Sequence, residues 1–429
     1  MKKKLFFTIS LVWIIVSPIY SQSRPEWITL PDMPTGRFGH CSVVYQDKVW
    51  IIGGKNQINI SLNNVDCYNL KTSEWEPNVS ELLHARYNAA AVVYENKIFV
   101  IGGHNDHQIL SSVEYYDPND NNWKEFTSLL YQREGANAVV FDGKLYVIGG
   151  RSNKGFFPKI LDVVEFWDGT AHIWQESTVW HLQKPRVFMQ SVAVDSFIYT
   201  MGGVWIDKHL DLNERFGFSS GTELVSPLPD PRFYFSAVRI QKLIYILGGI
   251  HFGDFDELHD SIDYYATHYD TWRALEISMK NPRAGLSAVG YENEIYVFGG
   301  MDANLKVLNT VEVLTGIPTD IVTSVVSINK PGTLPKEHRL LFNFPNPFNS
   351  VTTISFQIAS TAHQLQLIIY NVTGERVRTY QLSWLAPGFH QVQWDGRDDH
   401  GRTVESGIYL AQLRSDRSLG KVLKLSFIK

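Results

Sequence analysis

Cysteine is nearly absent from this chain of 429 residues: there are two, Cys41 and Cys67. One disulfide is the most they allow. Charge is sparse as well, at 19% of residues, which argues against long disordered tails. Neither sign dominates, and a formal net charge of -5 gives no pull toward nucleic acid or a membrane surface. Beyond the N-terminus no apolar run is long enough to span a bilayer. Signatures of chemistry are missing too. There is no Ser-His-Asp order, no phosphate-cradling glycine loop and no EF-hand spacing.

What the chain has is repetition. The stretch Arg86 to Gly103 reads RYNAAAVVYENKIFVIGG, two apolar runs split by a polar turn and closed by two glycines. Runs of this length, rich in Val, Ile and aromatics, read as a buried β-hairpin. The pattern recurs from Arg37, Arg86, Arg133, Arg186, Arg232 and Arg283. In every copy a double glycine begins 16 positions after the arginine, and an aromatic stands 13 positions after it. A second half follows each hairpin. It holds a short strand such as Val113-Glu114-Tyr115-Tyr116 and then, in four copies, a tryptophan: Trp75, Trp123, Trp174 or Trp272. The fourth copy lacks this tryptophan after Glu214-Arg215-Phe216, so its outer strand is expected to be irregular.

Four short strands per unit with fixed aromatic posts make one propeller blade. The marks resemble the kelch repeat over residues 24–315. Trp27 stands where later tryptophan strands precede an arginine, yet no blade precedes it. The sixth copy ends after Val311-Glu312-Val313-Leu314 with no tryptophan strand. The two halves complete one another, which predicts a six-bladed ring closed by the N-terminal strand. Cys41 and Cys67 fall on the first and third strands of one blade, about 10 Å apart. That exceeds the reach of a disulfide, roughly 7 Å between Cα atoms, and predicts two free thiols.

Residues 1–21 begin with Lys2, Lys3 and Lys4, continue apolar from Leu5 to Ile19 and reach the small Ser21. This reads as a secretory signal peptide, with no membrane span after cleavage. Residues 316–340 carry Gly316, Pro318, Pro331, Gly332 and Pro335 and read as a linker with a strand-like run, Ile321 to Ile328. Residues 341–429 lack the repeat marks. Six strand candidates there suggest a small immunoglobulin-like β-sandwich: 351–358, 364–370, 375–382, 390–394, 408–414 and 422–427. The stretches FNFPNPFN from Phe342, IIYNVTGERVRT and WDGRDDHGRTVESGIYLAQL resemble the type A C-terminal sorting domain of the bacterial type IX secretion system. They also resemble the immunoglobulin-like domain of flagellar hook-capping proteins. With the signal segment, the first resemblance implies export by that machinery to the outer surface or exterior of a Gram-negative-type bacterium. The fold class is thus all-β, a six-bladed kelch propeller followed by a small sandwich.

Strand direction puts the arginines, the double glycines and the loops after them on one face. Arg86, Arg133 and Arg186 are candidates to grip an anionic ligand with their guanidinium forks. The competing reading is that all six arginines bond loop carbonyls and acidic side chains. The variable loops add Arg151, Lys154, Phe156 and Phe157 in the third copy, and Trp205 and His209 in the fourth. Aromatics beside polar groups suit a glycan or protein ligand. His104-Asn105-Asp106-His107 offers two metal ligands without a third, so no metal or cofactor is expected. Glu134 is the residue best placed for general acid or base chemistry. Six-bladed kelch proteins include a sialic-acid mutarotase, which makes a sugar-modifying enzyme the alternative to a binding module.

Overall fold

A computed structural model describes residues 24–153, 159–206, 208–217, 221–251, 257–319, 339–344, 348–349, 351–358, 365–382, 388–415 and 418–428. The signal-like segment 1–21 and the run 321–328 lie outside them. The chain divides into two compact units, Met1–Ile321 and Val322–Lys429. Among the described residues no helix is long and apolar enough to cross a membrane.

The first unit contains six four-stranded antiparallel sheets. Their first strands are Cys41–Tyr45, Ala90–Tyr94, Asn137–Phe141, Gln190–Val194, Ser236–Ile240 and Ser287–Tyr291. Each lies at one edge of its sheet. They neighbour one another in a closed cycle, so the first strand of every blade is the innermost. Second strands such as Lys97–Ile101 are buried on both faces because a neighbouring blade covers each side. That explains continuous apolar runs where a half-exposed sheet would alternate. The hairpin between the two strands turns through positive φ, as at Glu95 (47°) and Asn96 (57°), which matches the twist of the strands it joins. Large rings fill the seams between blades. Trp50 meets Tyr116 of the next blade at 4.6 Å, and Phe126 meets Trp167 at 4.6 Å.

The double glycine is required by space and by backbone. Gly53 and Gly54 have φ of 62° and 96°. A Cβ on Gly53 would stand 2.4 Å from the carbonyl oxygen of Arg86. The sixth sheet closes as its sequence implies. Glu26–Leu30 is its outer strand, paired with Val311–Thr315 in the register Trp27 to Leu314. The indole of Trp27 is buried and donates to the carbonyl of Ser278 at 2.9 Å. The fourth blade corrects one expectation: its outer strand, Gly221–Val225, pairs regularly with Asn213–Gly217. Thr222 stands opposite Phe216, where the first, second and fifth blades set tryptophan opposite tyrosine. Trp180, from the third blade, packs on Phe216 at 6.0 Å and supplies the missing bulk. Cys41 and Cys67 are buried free thiols.

The second unit is a sandwich. One sheet contains Arg339–Phe344, Thr352–Ile358 and Gly388–Trp394; the other contains Arg376–Leu382, Leu365–Asn371, Gly407–Ser415 and Ser418–Phe427. Trp394, Ile354, Phe356, Leu367, Ile369 and Leu425 form its core. The strand Arg339–Phe344 begins inside the stretch expected to be linker.

Candidate functional site

The six arginines are buried, at 0–1% exposure. Each pairs with a carboxylate on the third strand of its own blade: Asp66, Glu114, Glu165, Glu214, Asp263 or Glu312. In five blades the guanidinium also donates to the carbonyl of the first glycine, as Arg133 Nη1 does to Gly149 at 2.8 Å. Arg232 instead adds the hydroxyl of Ser261 at 3.2 Å. Glu165 also accepts from the amides of Leu130 and Tyr131, at 2.8 and 3.3 Å, so the pair fastens the segment that enters the blade. Burial lowers the Arg133 pKa even beside Glu165, and burial raises that of Glu165. This geometry corrects the expectation that Arg86, Arg133 and Arg186 line a binding mouth. A side chain sealed from solvent and bonded at both ends of its fork cannot meet a ligand.

The mouth is built instead by the residue two positions after each arginine. Gly39, Asn88, Gly135, Phe188, Tyr234 and Gly285 all have positive φ, from 52° to 60°. Each amide donates to the carbonyl of the preceding member, from Asn88 to Gly39 at 2.7 Å round to Gly39 to Gly285 at 2.8 Å. Six hydrogen bonds, all running the same way, close a ring around the axis. From blade five the Tyr234 hydroxyl donates to Asn88 Oδ1 of blade two at 2.6 Å. Asn88 Nδ2 donates to Glu134 Oε2 at 3.4 Å, and Arg151 Nε donates to Glu134 Oε1 at 3.0 Å. Burial, then the Tyr87 and Glu134 side chains, raises the Tyr234 pKa, so its phenol stays protonated. No residue type marks this ring in the sequence, although its members share one offset from the arginines.

The loop candidates separate. Arg151 is half exposed but tied to Glu134. Trp205 and His209 share one short hairpin, in which Val204 faces His209 and Trp205 faces Lys208. Trp205 is half buried, with Lys184 Nζ 5.8 Å over its ring. The His209 ring lies 4.7 Å from Phe233, and burial lowers its pKa ahead of the repulsion from His251. Lys154, Phe156 and Phe157 lie outside the described residues. Asp106 is occupied by Ser61, which donates from its amide at 3.0 Å and its hydroxyl at 2.8 Å. Among the described residues no group of three or more His, Cys, Asp or Glu is arranged to hold a metal ion.

Comparison with known families agrees with this architecture. Residues 17–203 match the KLHDC2/KLHL20/DRC7 Kelch-repeats domain, and residues 282–314 match the Kelch motif. Residues 345–418 match the FlgD Ig-like domain. Kelch-like protein 41a of Danio rerio is 33% identical over 107 residues, 25% of this chain and 18% of that protein. Kelch-like protein 40 of Xenopus tropicalis is 30% identical over 108 residues, 25% of this chain and 17% of that protein. Each match therefore spans less than a fifth of the relative's length. With its arginines, double glycines and closing strand folded into six blades, the first unit is a kelch-repeat propeller.

Proposed function

We propose that this protein is an exported binding module whose kelch propeller docks a protein partner on the face of the post-glycine loops. One observation carries the reading. Aliphatic side chains stand out from those loops, led by Ile58 and Ile206 at 74% exposure and Leu305 at 51%. Single exposed apolar residues are ordinary. However, Ile206 and Leu305 also hold φ of 59°, a region that a β-branched or bulky residue rarely adopts. Strain kept at an exposed tip supports a role in contact. Aliphatic tips favour a protein surface over a sugar, which stacks on aromatic rings. The sugar-enzyme alternative draws no support from Glu134, whose two carboxylate oxygens are already bonded. Export by a type IX-type route to the cell surface or exterior is supported by the signal-like N-terminus and the character of residues 341–429.

The test is proximity labelling in the native host. The tagged wild-type chain is compared with an Ile58→Ser/Ile206→Ser/Leu305→Ser variant and with Lys71→Ser on the opposite face. The proposal expects the triple variant to lose a set of neighbours that Lys71→Ser keeps. The same neighbours from all three chains would refute it.

A further inference from the structure

The loops that follow the double glycines in blades six and one are built alike. Asp302 Oδ1 accepts the amides of Asn304 and Lys306, both at 2.9 Å. Asn56 Oδ1 accepts those of Ile58 and Ile60, at 3.1 and 3.0 Å. One further bond tightens each turn, from the Leu305 amide to the Asp302 carbonyl and from the Asn59 amide to the Asn56 carbonyl, both at 3.0 Å. Leu305 and Asn59 thus hold the same place, at φ of 59° and 62°. Asparagine adopts this left-handed backbone readily, whereas leucine does so at a cost. The turn itself would be served better by asparagine. Leu305 stands there nonetheless, 51% exposed.

The two loops are joined. Gln57 donates from Nε2 to the Leu305 carbonyl at 3.3 Å and accepts the Val307 amide at Oε1 at 2.7 Å. The seam so fixed carries Leu305 on one side and Ile58 and Ile60, 74% and 49% exposed, on the other. An apolar patch held in place before contact loses little freedom on binding. The carboxylates around it are engaged. Asp302 aims one oxygen at its own loop amides. Asp106 of the second blade accepts from Ser61 and lies 3.4 Å from Lys55 Nζ. Lys306 is exposed, and among the described residues no carboxylate forms an ion pair with it.

We propose that this seam receives a short stretch of a partner protein, one that brings aliphatic side chains to Leu305, Ile58 and Ile60 and a carboxylate to Lys306. This rests on the docking role of the loop face and names the chemistry of the partner there. A lipid surface would ask for more than a single lysine. Ile206 has no part in this contact, because it belongs to blade four, whose first strand neighbours blades three and five.

The experiment selects phage-displayed dodecapeptides on the immobilised full chain, then titrates the synthetic winners into soluble protein by fluorescence anisotropy. The winners should share aliphatic residues and at least one aspartate or glutamate. Leu305→Asn should weaken them by about tenfold or more. Its melting temperature should hold or rise, because asparagine suits the backbone there. Ile58→Ser serves the same purpose if Leu305→Asn misfolds. Lys306→Glu should weaken binding by about tenfold, and by less for a peptide whose carboxylates are replaced by amides. Ile206→Ser should bind as wild type does. A selection that yields no binding peptide, or only basic ones, would overturn the proposal. So would unchanged affinity in folded Leu305→Asn. Self-association of the chain, or binding to phosphatidylglycerol vesicles, that Leu305→Asn abolishes would also overturn it and assign the seam to a second copy or a lipid surface. Should the peptides fail while the triple variant still loses its neighbours in proximity labelling, docking on the loop face would stand without this partner chemistry.

Discussion

Arg133 sits where water does not reach, held by the Gly149 carbonyl on one side and Glu165 on the other. Taking both charges out of water is costly, and their attraction offsets that cost only while both are present. Arg133→Met should therefore cost about 3–5 kcal/mol, because it strands a buried carboxylate. Arg133→Met/Glu165→Leu should cost less than the single change. Urea denaturation of the three proteins checks this, and a double variant less stable than Arg133→Met would contradict it. The arginines were visible in the sequence because their distance to the glycines never varies. Their partners were not, because the gap from arginine to carboxylate drifts between 28 and 32 positions. Tyr234 was hidden for another reason: three of the six ring positions are glycine, so no residue type marks the offset.

At the scale of the element, the strand Glu26–Leu30 is what makes the sixth blade a blade. Without it Val311–Thr315 would present a bare edge, ready to pair with another chain. Deleting residues 26–30 should lower the melting temperature markedly and promote aggregation. Trp27→Ala alone should cost about 3–5 kcal/mol, as for other large core truncations. A deletion that melts like wild type would show that the ring does not need closing. This strand was legible because its tryptophan keeps the phase of the later ones. The outer strand of blade four is regular against expectation because it needs no tryptophan of its own: a neighbour's Trp180 fills the space. The strand Arg339–Phe344 is hard to read among the prolines and glycines on either side of it.

At the scale of the whole molecule, the chain holds two cores that do not share residues, one set between blades and one inside the sandwich. A protein lacking residues 341–429 should keep a folded propeller with its near-ultraviolet circular dichroism and melting transition, since every described strand of the six blades lies before residue 316. In the native host it should be made but not reach the cell surface. Normal surface display of the shortened chain would dismiss the export proposal while leaving the fold untouched. The blade count was legible from end to end, because every blade repeats the same structural needs. The loops were not, because no need shared by all six blades fixes their length or spacing.

The closing strand has a mechanical side. Glu26 pairs with Thr315, so the two ends of the first unit leave the sheet at the same corner. Because the strands are antiparallel, traction between those ends loads that pair first, then Trp27 with Leu314, then Ile28 with Val313. The bonds break in succession, like a zip drawn from its open end, instead of sharing the force. A ring closed in this way yields at that seam to a steady pull, and the propeller unravels from both of its own ends inward.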